Sequence, residues 1–156
     1  MKAINNIKSE SLVMKIISFF FYCTLFSSLL FFSSCGSDSS PTPAELMTKK
    51  LTANDWKIKT VSVAGTDQTI AYKNMSLVFS ATGFTSSNGG VVWPSSGSWK
   101  FTDDNATSIK RGDDVVVSLT EVTATSLIVT LTWAQNTFGP GRNSSLAGVH
   151  VFTMSN

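Results

Sequence analysis

The chain has 156 residues, two cysteines, one histidine and a formal net charge of +2 at pH 7. Its first 34 residues hold three of the twelve basic residues and one of the ten acidic ones, so the remainder is neutral with nine of each. A neutral chain without clustered Lys and Arg argues against nucleic-acid binding. A single histidine excludes a histidine-rich metal site, and we expect no metal and no cofactor.

The N-terminal segment has the pattern of a secretory leader. Three lysines accompany an apolar run over residues 16–32, and Ser33 and Ser34 stand directly before Cys35. A basic start, an apolar middle and small residues at a cleavage site are typical of a signal peptide. With a cysteine at that site, residues 1–34 are interpreted as a lipoprotein signal peptide and Cys35 as the lipidated residue, anchored by palmitate-like acyl chains.

Two other interpretations of the leader stay open. An uncleaved membrane span needs about 20 apolar residues, and the run has 17 residues, four of them polar. Ordinary cleavage would leave Cys35 as a free thiol, which is reactive in an oxidising compartment, whereas lipidation removes that thiol. Met14 is a second possible start of the protein.

Cleavage would leave one cysteine, since Cys23 belongs to the leader, and no disulfide can form within such a chain. Gly36 follows Cys35, in place of the Asp that is typical of inner-membrane retention, which favours the outer membrane, either periplasmic or surface-exposed. Residues 35–42 are predicted to be a flexible tether, because they offer no apolar side chain for burial.

A short helix is predicted over residues 43–51, at the start of a single domain covering 43–156. Thr42 suits the N-cap, Pro43 the first helical position, and Glu45 the acidic position of a capping box. The helix is too short to be stable alone, so it is expected to pack on one end of the domain.

The remaining sequence predicts an all-β domain. Apolar and polar residues alternate over segments 56–59, 77–79, 98–102, 115–120 and 127–133, with turn residues between them. Alternation of this kind indicates strands with one buried face. About eight strands at roughly ten-residue spacing predict an antiparallel meander forming a small barrel or sandwich. The large residues expected to point inward are Trp56, Phe79, Trp99, Phe101 and Trp133, which would leave little interior volume.

Three stretches resemble the short lipocalin-like lipoproteins of Bacteroidetes. They are Leu51-Thr52-Ala53-Asn54-Asp55-Trp56 after the helix, Gly97-Ser98-Trp99-Lys100-Phe101 in mid-domain, and the terminal Ala147-Gly148-Val149-His150-Val151-Phe152. The resemblance covers roughly residues 46–156. It implies a lipocalin-like barrel whose base is closed by Trp56 at the start of the first strand.

The acidic pairs and the histidine are weak candidates for catalysis. Asp103-Asp104 and Asp113-Asp114 bracket a predicted strand, which separates them by roughly 16 Å and places them in hairpin turns. His150 shares strand parity with Phe152 and is predicted to be packed. We therefore expect no catalytic residues and no enzyme activity.

The candidate ligand-binding residues are Trp93, Trp99, Phe138 and Arg142. Phe138 and Arg142 belong to the longest irregular segment, residues 134–148, which is either a binding loop or a solvated connection. Trp93 lies outside a regular strand, where it could stack on a sugar, guard a barrel mouth or fold back as a lid of the core. Arg142 would suit a carboxylate or phosphate.

Two functions are consistent with these features. The first is a non-catalytic, lipid-anchored binding module for a small apolar ligand or a glycan. The alternative is an accessory surface lipoprotein with a filled core that binds an envelope protein, for example through Val116 and Ile128 on the outer face. A pocket of several hundred cubic ångströms favours the first function, and a filled interior with an apolar outer patch favours the second.

Overall fold

The computed structural model describes residues 40–139 and 142–156, with backbone only over 137–139 and 142–144. Its first element is a nine-residue helix, α1 (Pro43–Leu51), which precedes the barrel. The Thr42 hydroxyl accepts a hydrogen bond from the Glu45 amide at 3.2 Å, and the Glu45 carboxylate accepts one from the Thr42 amide at 2.7 Å. These reciprocal bonds satisfy two amides that the first helical turn leaves unpaired. The predicted bounds and capping box of the helix are confirmed.

The described residues after α1 form eleven strands and one 3-10 helix. The strands are β1 (Asp55–Val63), β2 (Thr66–Asp67), β3 (Ser76–Phe79), β4 (Gly83–Ser87), β5 (Ser96–Phe101), β6 (Ser108–Arg111), β7 (Val116–Val122), β8 (Ser126–Trp133), β9 (Thr137–Gly139), β10 (Arg142–Ser145) and β11 (Gly148–Ser155). The 3-10 helix, Thr69–Tyr72, lies between β2 and β3.

Eight of these strands form a closed antiparallel barrel. Strands β3 to β8 pair in chain order, β1 joins β3 at one side, β11 joins β8 at the other, and β1 and β11 pair with each other to close the sheet. Strand β2 only extends β1, and β9 and β10 make a separate two-stranded sheet. The predicted all-β meander is confirmed, and it is a barrel, an architecture consistent with a lipocalin-like fold.

Every second side chain along the strands points into the barrel, and these side chains fill its interior. On β11, His150, Phe152 and Met154 are buried while the residues between them are more exposed. Val117 and Leu119 on β7 follow the same rule. Because successive residues of a strand face opposite sides, the alternating sequence is sufficient to set which face becomes the core.

The two ends of the barrel differ. At the end where β1 begins, called the closed end here, α1 contacts β7, and the indole Nε1 of Trp56 donates to the Leu51 carbonyl at 2.9 Å. The side-chain amide of Asn54 donates to the Ala124 carbonyl in the β7–β8 turn at 3.0 Å. Trp56 thus occupies the base position that the resemblance implied. At the open end lie the 3-10 helix, the β4–β5 loop, the β6–β7 turn and the segment before β11.

Aromatic side chains make up much of the core. Those that are buried are Trp56, Tyr72, Phe79, Phe84, Trp93, Trp99 and Phe152. Several rings meet edge to face, the favourable geometry for aromatic pairs, with Phe84 and Trp93 centroids 5.3 Å apart at 87°. The prediction that Phe101 and Trp133 also point inward is met only in part, since both pack on the core but are half-buried.

The segment predicted to be irregular, residues 134–148, is partly ordered instead. Strands β9 and β10 pair within it, with Arg142 opposite Gly139 and Asn143 opposite Phe138. The glycines and Pro140 obscured this hairpin in the sequence, because such residues are typical of unpaired loops.

Within residues 40–139 and 142–156, no helix has the length and apolar character needed to span a bilayer.

We predict that Leu51→Ala lowers the free energy of unfolding by about 3 kcal/mol, because Leu51 is fully buried at the closed end and its truncation leaves a cavity. Urea denaturation followed by circular dichroism measures the change. Leu46→Ala is the matched control in the same helix, since Leu46 is 48% exposed and should cost no more than about 0.5 kcal/mol. Equal losses in the two variants would contradict this account of the closed end.

Candidate functional site

A cavity of about 510 Å³ opens at the end of the barrel opposite α1. Its lining is Val63, Gln68, Ile70, Ala71, Tyr72, Lys73, Asn88, Gly90, Ser145 and Leu146. The lining comes from the end of β1, the 3-10 helix, the β4–β5 loop and the chain between β10 and β11. A concave, mixed apolar and polar site of this volume falls in the range of small-molecule pockets, about 300 to 1,000 Å³.

The apolar part of the lining includes one unusually exposed side chain. Ile70, in the 3-10 helix at the mouth, is 91% exposed, while Val63 below it is buried and Leu146 is half-buried. Apolar area therefore continues from the mouth of the cavity toward the barrel interior. A ligand with an apolar body would remove this area from water, which is favourable.

The polar part of the lining is mainly uncharged. Among the described residues of the lining, Lys73 alone carries a formal charge, and Gln68, Asn88 and Ser145 add neutral polar groups. Burial raises the pKa of Tyr72 to about 12, so its hydroxyl stays protonated at neutral pH and remains a hydrogen-bond donor. The lining thus suits a ligand with polar groups that need not be strongly charged.

Below the cavity lies a stack of aromatic rings around His150. The imidazole stacks on Phe152 with ring centroids 5.9 Å apart, and the Tyr72 ring meets it edge-on at 6.3 Å. His150 is fully buried, and this burial lowers the pKa of its imidazole below the ordinary value, although the Gly148 carbonyl opposes the shift. His150 is therefore neutral at physiological pH, and the prediction that it is packed is confirmed.

A buried arginine fixes the loop beside the cavity. Arg111, at the end of β6, is only 2% exposed, and its guanidinium lies 4.8 Å from the ring centroid of Trp93. Its Nη1 donates to the Val92 carbonyl at 2.6 Å, and its Nε and Nη2 both donate to the Asp113 carboxylate. These bonds hold the pKa of the Asp113 carboxyl below its usual range. The guanidinium thus links three neighbouring segments of the open end.

Trp93 is held by close backbone packing as well as by Arg111. Its amide donates to the Gly89 carbonyl at 3.0 Å, and a Cβ at Gly89 would lie only 2.4 Å from the Trp93 Cβ. Glycine is required at position 89 for this approach, because any side chain there would push the loop outward. The β4–β5 loop is consequently a compact part of the open end.

The structure places the predicted ligand-binding residues at different sites. Trp93 is fully buried against Phe84 and Phe152. Of the three predicted alternatives, the structure therefore shows the one in which Trp93 folds back as a lid of the core. Trp99 is also buried, and its indole donates to two carbonyls of the β3–β4 turn at the closed end. Neither residue lines the cavity at the open end, although Trp99 lines a groove of about 510 Å³ beside α1.

The other predicted site residues lie outside what the structure describes. Phe138 and Arg142 belong to β9 and β10, whose backbone leads into the cavity lining at Ser145, but their side chains are not among the described ones. Cys35 precedes the described residues. Their predicted roles stay predictions.

The two acidic pairs lie at opposite ends of the barrel, as predicted. Asp103 accepts hydrogen bonds from the amide and hydroxyl of Thr107 in the β5–β6 turn, which lowers the pKa of its carboxyl. Asp113 binds Arg111 at the open end. The described part of the chain contains no group of three His, Cys, Asp or Glu residues close enough to hold a metal ion.

Two residues of the open end were missed in the sequence. Arg111 shares strand parity with Ile109, and that parity was the available signal that it faces inward. Tyr72 gave no such signal, because it lies in a 3-10 helix where period-two alternation does not apply.

No protein-family model, curated protein or solved structure matches the chain.

We predict that Arg111→Met lowers the free energy of unfolding by about 2 to 4 kcal/mol, because it removes the hydrogen bond to the Val92 carbonyl and the contact with Trp93. Urea denaturation at pH 7 measures the loss. Lys110→Met is the control on the same strand. Lys110 pairs with Asp114 at the surface, so that change should stay within about 0.5 kcal/mol. A similar loss in both variants would contradict the role assigned to Arg111.

Proposed function

We propose that this protein is a non-catalytic, lipid-anchored protein of the cell envelope that binds a small, largely apolar ligand or a glycan at the open end of its barrel. The observation that carries the proposal is the cavity of about 510 Å³ with its mixed lining. Its combination of apolar walls with a few polar groups is that of small-molecule sites in other proteins, and this lining distinguishes it from a groove of equal volume beside α1.

The filled core sets the size of the ligand. An eight-stranded barrel has an interior just wide enough for side chains or one small ligand. Here Trp93 and Phe152 occupy the middle of the barrel, with ring centroids 6.2 Å apart. The body of the ligand is therefore expected at the mouth, between the 3-10 helix and the segment before β11, because Trp93 and Phe152 fill the interior behind it.

The lipid anchor rests on the sequence around Cys35. The placement of α1 is compatible with it, since the chain reaches Pro43 at the closed end of the barrel and the cavity lies at the opposite end. An attachment through the preceding tether would leave the mouth of the cavity accessible. The proposed location is the outer membrane.

The non-catalytic role is supported by how the candidate groups are used. Asp103 and Asp113 accept hydrogen bonds in turns at opposite ends, and the imidazole of His150 packs against aromatic rings. A general base needs access to a substrate proton and a positioned partner. In this arrangement the imidazole is instead separated from solvent.

A second candidate function is supported by the outer face. Val116 and Val149 are 49% and 46% exposed, Val149 pairs with Thr132 of β8, and Val116 precedes the residue of β7 that pairs with Leu131. Together with the filled core, this uncharged strip favours an accessory lipoprotein that binds an envelope protein. Purified protein that carries another protein but no small molecule would favour this function over the first.

We predict that Ala71→Trp abolishes ligand binding, because the indole would occupy the cavity that Ala71 lines. Native mass spectrometry of the purified protein measures the co-purified ligand. Ala124→Trp is the matched control, since Ala124 is an exposed residue of the β7–β8 turn at the closed end. The wild type and Ala124→Trp should carry the ligand, and Ala71→Trp should not. Equal ligand in all three proteins would contradict the proposed site.

We predict that Cys35→Ala abolishes incorporation of radiolabelled palmitate and moves the protein from the membrane fraction to the soluble fraction, because the thiol is the acylation site. Cys23→Ala is the matched control, since it changes the other cysteine, which lies within the leader. Label retained in Cys35→Ala, or unchanged fractionation, would overturn the anchor.

A further inference from the structure

His150 carries a buried nitrogen that has no hydrogen-bond partner among the residues that the structure describes. The side chain is fully buried, and the unpartnered atom is its Nε2. Buried polar atoms are nearly always paired, because an unpaired one loses its hydration without compensation. This nitrogen is therefore a place where a ligand group would be stabilised.

The chemistry of that group follows from the other ring nitrogen. Nδ1 lies 3.1 Å from the Gly148 carbonyl oxygen, which only accepts hydrogen bonds, so Nδ1 carries the hydrogen. In a neutral imidazole Nε2 is then the acceptor, with a free lone pair. The ligand group that fits it must donate a hydrogen bond, which excludes ethers, ketones and ionised carboxylates.

The position of His150 connects it to the cavity. Its register partner on β1 is Val63, and its ring touches Tyr72, both of which line the cavity. His150 is thus a direct neighbour of two residues that line the proposed ligand site. Tyr72 belongs to a four-residue 3-10 helix at the mouth, and it is the ring that a ligand would displace.

Trp93 adds a second unpartnered polar atom in the same core. Its indole Nε1 is a buried donor with no acceptor in the described part of the chain, and its ring and that of His150 both contact Phe152. The core therefore lacks a donor at His150 and an acceptor at Trp93. A hydroxyl is a neutral group that supplies both roles in one atom.

We propose that the ligand is an alcohol with an apolar body, whose hydroxyl passes the displaced Tyr72 ring and donates a hydrogen bond to His150 Nε2. This inference rests on the proposed function, because it assigns the ligand class of the same cavity. The apolar body lies against Val63, Ile70 and Leu146, and the hydroxyl is the group that the site selects.

The test uses the chain without its leader, residues 35–156, with Cys35→Ser to prevent acylation and no histidine tag. His150 is the only histidine, so ¹⁵N-histidine labelling gives ring signals from this residue alone. The protein at pH 7.5 is titrated with 1-octanol and, separately, with 1-methoxyoctane, a neutral analogue that cannot donate a hydrogen bond. We expect the Nδ1–H tautomer, a shift of the Nε2 signal with octanol only, and about tenfold tighter binding of octanol.

Two variants separate His150 from its neighbour. His150→Phe removes the acceptor and should bind the alcohol and the ether within about twofold of each other. Tyr72→Phe keeps the acceptor and should retain both the shift and the preference, which shows that the Tyr72 hydroxyl is not the partner. The NMR titration of the unsubstituted side chain gives an answer even if His150→Phe does not fold.

Three results would overturn the inference. The Nε2–H tautomer would remove the acceptor. Binding of both compounds without a shift of Nε2, or with an unchanged preference in His150→Phe, would leave the cavity as a binding site but exclude His150 from recognition. Binding of neither compound, together with no small molecule co-purifying with the wild type, would overturn the proposed function and this inference with it.

Discussion

Closure of the sheet between β1 and β11 is the constraint on which the rest of the structure depends. Six residues of β1 pair with six of β11, from Lys57 with Ser155 to Val63 with His150. Closure removes the free edges that an open sheet would present to other chains. It also limits the interior to a width that side chains fill, since eight strands set a small diameter. Room for a ligand therefore exists where the barrel ends, among its loops.

Near the open end, the narrow interior contains buried polar groups that differ in whether they have hydrogen-bond partners. Arg111 has partners for its guanidinium at Val92 and Asp113, so its burial is compensated. His150 and Trp93 each keep one buried polar atom without a hydrogen-bond partner among the described residues. The paired guanidinium holds the β4–β5 loop, and the unpaired nitrogen of His150 is the atom on which the proposed recognition of an alcohol depends.

Much of the fold could be predicted from the sequence because barrels obey local rules. Alternation along β7, β8 and β11 gives the inward face, and Thr42 with Glu45 gives the start of α1. Closure could not be predicted, because a barrel and a sandwich share the same alternation. The β9–β10 hairpin was hidden for a related reason, since its strands of three and four residues are too short to show a period.

The candidate site was less predictable because loops build it. The cavity is formed by residues far apart in sequence, such as Val63, Asn88 and Leu146, which only the closed sheet brings together. Trp93 had three equally good alternatives, and the choice depended on Arg111, which lies on a different strand. The inward orientation of Arg111 could be inferred only from alternation along β6, and that strand has four residues, too few for a clear pattern. A contact between two such segments cannot be inferred from the sequence of either one.

The pairing of the first barrel strand with the last has a consequence for biogenesis. Residues 57 and 155 are partners, so the barrel cannot be completed until the ribosome has released almost the entire polypeptide. Contacts between residues so distant in sequence also slow folding, because the intervening chain must lose its freedom first. Pairing of neighbouring strands from β3 to β8 can therefore precede closure, and the joining of β1 to β11 is the step that completes the barrel.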